Sequence, residues 1–173
     1  MNARRGALRG WACVAAAALL CGLGGWSYAD ARADDTLAMA KSRDTALVEG
    51  KAHLRRLNSM DAKDAAHVDA GLAGWLDATT GPLHDQLAGT RAEDAAALKK
   101  AGSSARGTVT EAALTALDER GGTAQLIATV EVVVTPRTGA AGTERKRFDA
   151  TLQRTGDGWK VKALTAVPVG AAT

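Results

Sequence analysis

The sequence predicts an α+β domain carried behind a hydrophobic N-terminal segment, and three observations predict it. Residues 11–28 form a charge-free run, WACVAAAALLCGLGGWSY. From there to Ala101 apolar side chains recur at intervals of three and four, and from Thr108 onward they alternate every second residue between turn signals. Contiguous alternation of that kind gives an antiparallel sheet, and helices gathered ahead of it must cover one of its faces.

The chain has 173 residues, 46% apolar but only 3% aromatic, so large side chains are rationed and Leu and Val must build the core. That apolar content excludes a disordered tail. Lys and Arg number 22 against 19 Asp and Glu, a net charge of +3. Arg4, Arg5 and Arg9, in a stretch with no acid, supply the whole excess. The body is therefore neutral, which removes the electrostatic argument for a nucleic-acid-binding domain.

The run Trp11–Tyr28 spans ~27 Å as a helix, close to the thickness of a bilayer core. Trp11 opens it and Trp26 and Tyr28 close it, where amphipathic rings meet the headgroup layers. Arg4, Arg5 and Arg9 precede the run and Asp30, Asp34 and Asp35 follow it, so the positive-inside rule sets the N-terminus in the cytoplasm and the remainder outside the membrane. The alternative is a cleaved signal peptide with Ala29, Ala31 and Ala33 at the processing site, which would give a secreted product. Cys13 and Cys21 both lie in this run, ~12 Å apart along a helix and beyond disulfide reach. The exported part has no cysteine, which excludes disulfide stapling and thiol catalysis there.

Leu37, Ala40, Leu47, Leu54 and Leu57 predict a stalk helix ending at Asn58-Ser59, either of which can cap a second helix bearing Ala65, Val68, Leu72, Trp75 and Leu76. TTGPL, residues 79–83, breaks that helix and starts a third with Leu83, Leu87, Ala95 and Leu98. Strands follow at 106–118, 123–135, 144–155 and 158–167, the last two joined by the tight Gly156-Asp157-Gly158 turn. Ala124, Leu126, Ala128, Val130, Val132 and Val134 share one face, matched by Phe148, Ala150 and Leu152 and by Trp159, Val161 and Ala163. Lys146, Arg154, Lys160 and Lys162 are expected on the opposite, solvated face. The expected organisation is a cytoplasmic tip at 1–10, a transmembrane anchor at 11–28, a stalk helix at 29–57, the exported domain at 58–167 and a frayed tail at 168–173.

No catalytic constellation emerges. His53, His67 and His84 lack the spacing of a metal site, and neither a nucleophile elbow nor a phosphate loop occurs. No metal and no cofactor is expected. Asp77, His84 and Asp85 are the pocket candidates, with Asp118 near them, because helices packed over a curved sheet can house an acid–base pair. Asp85 reads as a first-turn acid favoured by the helix dipole in preference to a general base. Arg145-Lys146-Arg147, with one neighbouring aromatic, reads as a solvated strand face or a headgroup contact.

One resemblance stands beside these readings. LRRLNSMD at 54–61, WLDATTGPLHDQL at 75–87, GTVTEAALTALD at 107–118, GTAQLIATVEVVVT at 122–135 and LQRTGDGWKV at 152–161, in this order behind an anchor, resemble the actinobacterial Mce-associated membrane proteins. The resemblance implies a nuclear-transport-factor-two-like cone, with a four-stranded sheet covered by helices. It also implies a non-enzymatic accessory or scaffold subunit of an Mce lipid-import system, acting through contacts with Mce subunits and other envelope proteins. The rival is a secreted or tethered enzyme or small-lipid carrier using an interior pocket.

Overall fold

The computed structural model describes residues 36–168. The tip, the anchor with Arg4, Arg5, Arg9, Trp11, Trp26 and Tyr28, the first part of the expected stalk and the chain beyond residue 168 lie outside the described residues. Among the described residues no helix is long and apolar enough to cross a membrane. The chain divides into two compact units, Met1–Lys41 and Ser42–Thr173. In the first, residues 36–41 are helical and Leu37 and Met39 are exposed.

Three helices precede four strands among the described residues: α1 (36–57), α2 (Ala65–Asp77), α3 (Gly81–Ala101), β1 (Ser104–Asp118), β2 (Thr123–Thr135), β3 (Gly142–Thr155) and β4 (Gly158–Val167). The strands form one antiparallel sheet in the order β1-β2-β3-β4, the meander the alternation predicts. Its inner rows carry Ala124, Leu126, Ala128, Val130 and Val132, then Phe148, Ala150 and Leu152, then Trp159 and Val161, all buried. From Ser42 onward α1 belongs to the same compact unit as the sheet, and its Ala46 and Leu54 are fully buried in the sheet's main apolar cluster. Gly50 makes that contact possible, because a Cβ there would stand 2.8 Å from Leu126 Cδ2 and 2.9 Å from Leu152 Cδ1.

Irregularities in the ladder account for several departures from strict alternation. One extra residue on β4, Lys162, separates the Leu152–Val161 and Thr151–Ala163 pairs, so Ala163, expected inward, turns to the exposed face and Leu164 takes the inward position instead. On β1 the extra residues are Thr110 and Thr115, whose hydroxyls donate to the carbonyls of Thr129 (3.2 Å) and Gln125 (3.4 Å). Val109, Ala112, Leu114 and Leu117 consequently pack inward at unequal spacing. Lys146 pairs with Val130 and Arg154 with Trp159. Residues paired across antiparallel strands share a face, so these two cations lie in the inner rows, toward opposite ends of β3, and not on the outer face as expected.

The caps also differ from expectation. Asn58 Nδ2 and Ser59 Oγ donate back to the carbonyls of Leu54 (2.9 Å) and Arg55 (2.7 Å), closing α1, while Asp64 caps α2 by accepting the His67 amide at 3.0 Å. The chain between them is needed elsewhere. Met60 exchanges two backbone hydrogen bonds with Ala105 on the β1 edge, at 2.8 and 2.7 Å. At the other edge the α2–α3 link does the same for β4: Val161 N–H donates to Ala78 O (3.0 Å) and Thr80 N–H to Val161 O (2.9 Å). Both open edges of the sheet are thus partly closed by helix connections, which limits pairing with foreign strands.

Candidate functional site

The three pocket candidates come from the junction of α2 and α3. Asp77 is the last residue of α2, and His84 and Asp85 follow Thr80, the N-cap of α3, by four and five residues; the first turn of α3 holds no acid, so Asp85 lies one residue too far along to be the first-turn acid expected. Asp77 and His84 line one open depression of about 390 Å³ together with Thr80, Thr155, Asp157 and Lys160. Asp85 is not part of its wall, and its side chain is 81% exposed. The Asp77 carboxylate is held by Arg56 Nη1 at 2.7 Å and Lys160 Nζ at 3.6 Å, and Lys160 also reaches Asp157 at 3.7 Å. His84 Nδ1 stands 3.5 Å from Asp85 Oδ1. A carboxylate compensated by two cations and open to water lacks the desolvation that prepares a general base.

Asp118 does not approach this depression. It organises the β1–β2 turn, its Oδ1 accepting the amides of Arg120 (3.0 Å) and Gly121 (2.9 Å). The three large rings of the body serve packing. Trp159 sits in the main cluster and Phe148 in a second with Val130 and Val132. Trp75 packs against the α2 cluster of Met60, Ala62, Val68 and Leu72, its indole N–H shared between Arg56 O (3.0 Å) and Ser59 O (3.1 Å). Among the described residues no group of three or more His, Cys, Asp or Glu side chains is placed to hold a metal ion.

Two polar groups that sequence reasoning missed lie between α1 and the β3–β4 hairpin. Glu49 Oε2 accepts the Trp159 amide at 2.6 Å, fixing the hairpin to the helix. His53 Nδ1 is buried with no hydrogen-bond partner. Burial holds the His53 pKa below its usual 6.5, helped by Arg56, against contact with the Trp159 backbone and the charges of Glu49 and Asp77. The signal was in the spacing, since Ala46, Gly50, His53 and Leu57 follow each other at four, three and four residues and so share a helix face.

The sign of the His53 effect follows from linkage. Above pH ~6.5 the ring is neutral folded and unfolded, and its contribution is fully present. As pH falls through the folded value, the unfolded chain binds the proton first and stability drops. His67 acts in the opposite sense, since its hydrogen bond to Asp64 raises its pKa and that contribution is lost as pH rises. Urea midpoints of wild type and His53→Gln, compared from pH 7.5 down to 5, should therefore show the wild type losing ground to the variant as pH falls. A constant gap would contradict the assignment.

A larger concavity lies elsewhere, a groove of about 1100 Å³ bounded by the end of α1, the first half of α2, and the starting half of β1. Arg55 and Arg56 rise from α1, His67 and Gly71 from α2, and Arg106 from β1. Met60 forms part of it, held by its bridge to Ala105. No local pattern announces this groove, because its walls meet only when the α1–α2 link pairs with β1.

No protein-family profile matches the chain, and no curated protein matches it in sequence. Solved structures do match. The chain is similar to a periplasmic fragment of TraM, with 14% identity and a TM-score of 0.52 over 69% of this chain and 92% of that one. It is similar to CagV, a VirB8 homolog of the T4SS from Helicobacter pylori strain 26695, with 10% identity and a TM-score of 0.52 over 68% and 92%. The periplasmic domain of DotI matches with 12% identity and a TM-score of 0.51 over 71% and 93%. The chain shares their fold. Among the described residues, three helices with a four-stranded antiparallel meander agree with the α+β class expected from the sequence. Identities this low establish architecture alone, since one fold hosts many functions.

Proposed function

We propose that this chain is a non-enzymatic, membrane-tethered accessory subunit whose body works outside the membrane through protein–protein contacts. The observation that carries the reading is the state of Asp77. The strongest pocket candidate is bound to Arg56 and Lys160 at the surface, beside an interior filled by Leu54, Leu126, Leu152 and Trp159. The fold supports it by analogy, since the TraM and DotI structures are of periplasmic regions and CagV is described as part of a T4SS. The finer assignment, to an Mce-type lipid importer with Mce subunits as partners, rests on the motif order from LRRLNSMD to LQRTGDGWKV. The tether rests on the charge-free run at 11–28 with its basic tip.

The rival reading, an enzyme or lipid carrier, has in its favour the depression that Asp77 and His84 share. Cell fractionation separates the main alternatives. The full chain should sediment with membranes and resist salt extraction, whereas a chain lacking residues 2–28 should not. A full chain recovered from the medium with a mature N-terminus beyond Tyr28 would overturn the tether. Co-isolation of Mce subunits with the tethered chain, lost when the exported body is removed, tests the pathway.

A further inference from the structure

Resting on the reading of the chain as a contact module, we infer that the groove between α1, α2 and β1 receives an extended acidic segment of a protein partner, its carboxylates paired with Arg55 and Arg106. The argument begins with unspent charge. Arg55 and Arg106 stand on two different walls, both exposed, and among the described residues neither guanidinium has an ion pair or hydrogen bond. The other charges of the lining are committed. Arg56 is bound to Asp77, and Asp61 Oδ1 accepts both the Lys63 amide (3.0 Å) and the Ser104 hydroxyl (3.2 Å). His67 is held by Asp64 at 2.8 Å, and that contact favours its cationic form. The surplus is positive, and a guanidinium's planar fork matches a carboxylate with two parallel hydrogen bonds.

Shape then selects among anions. A concavity of about 1100 Å³ is larger than a small ion fills, and it exceeds the usual range for a compact ligand. Met60, Ala70, Ala105 and Val133 give it an apolar and backbone surface between the two arginines, as an extended peptide requires. A lipid headgroup fits less well. The chain outside its N-terminal tip has no net charge, so the body has no general attraction to an anionic membrane. The walls are also set in advance. Met60 is bonded twice to Ala105, Gly107 N–H donates to Ser59 Oγ at 3.0 Å, Ala62 N–H to Ser104 Oγ at 3.2 Å, and Trp75 clamps the link from the α2 side. Such rigidity lowers the ordering cost of binding.

Fluorescence anisotropy with the full-length chain in uncharged detergent tests this, the probe being a labelled deca-glutamate peptide. Saturable binding is expected, weakened about tenfold or more by the double change Arg55→Gln and Arg106→Gln. Arg91→Gln with Arg145→Gln, which removes two exposed arginines outside the groove, should leave it unchanged. Equal losses in both double variants would mean diffuse attraction and overturn the assignment. So would absence of saturable binding, or binding through Arg55 and Arg106 to phosphatidylglycerol vesicles but not to the peptide. Because the titration needs no membrane, it can fail while the tether stands, and the fractionation can fail while the groove binds.

Discussion

Replacing Trp159 with alanine is expected to lower stability by about 3–5 kcal/mol, the range for truncating a large buried ring. Trp159 is 3% exposed, packed with Leu54, Leu152 and Val161. Its amide is held by Glu49, and the Arg154 guanidinium lies 5.1 Å from the ring centroid. Removing the ring leaves a void between α1 and β4. The sheet cannot easily collapse into it, because β4 is bonded on one side to β3 and on the other to Ala78 and Thr80. The measurement is the urea midpoint at constant slope. Trp159→Phe, which retains most of the volume, should recover part of the loss and keeps the test alive if the alanine variant does not fold. A loss below ~1 kcal/mol for alanine would show that the hairpin stands apart from the cooperative core.

The second large effect is at Leu126, fully buried on the central strand β2. Leu126→Ala should cost about 2–5 kcal/mol. Gly50 makes the case more informative, since a methyl group there would fall 2.8 Å from Leu126 Cδ2 and 2.9 Å from Leu152 Cδ1. Gly50→Ala alone gains helix propensity of up to ~1 kcal/mol but forces this contact apart, and overpacking of a core typically costs ~1–3 kcal/mol. In the double variant the shortened residue 126 makes room for the added methyl. The two changes should therefore be non-additive, the pair more stable than the sum of single losses predicts by roughly 0.5 kcal/mol or more. Strict additivity would mean that α1 does not rest on β2 at that point.

Much of this architecture was legible because each signal was local. Alternation placed β2 and its inner face without error, and Gly156-Asp157-Gly158 placed the last turn. Local signals failed where a partner distant in the chain decides. Strict alternation puts Ala163 inward, and nothing in its neighbours announces the extra residue at Lys162, which is set by pairing with β3. Asn58 and Ser59 end α1 as expected, but neither caps α2, because the bridge from Met60 to Ala105 draws the intervening chain away from that helix. Of the candidate site, sequence proximity brought Asp77 and His84 to one depression, but Arg56 and Lys160, which occupy the Asp77 carboxylate, arrive from α1 and β4. The groove behind Arg55 and Arg106 has the same character. It exists only as a meeting of three separated segments.

The stitches at Met60 and at Ala78–Thr80 have a consequence for timing. Between them α2, about 20 Å long, reaches from one outer strand to the other across a sheet about 14 Å wide, passing Arg56 of α1 at Gly74 and Trp75. The backbone pairs that stitch the helix connections to the sheet therefore lie on strands made later, the final one on β4. During synthesis the helices can pack only on one another until the strands follow, and contacts between segments so far apart form slowly. The sheet side of this attachment is therefore expected to close only when the last strand is delivered.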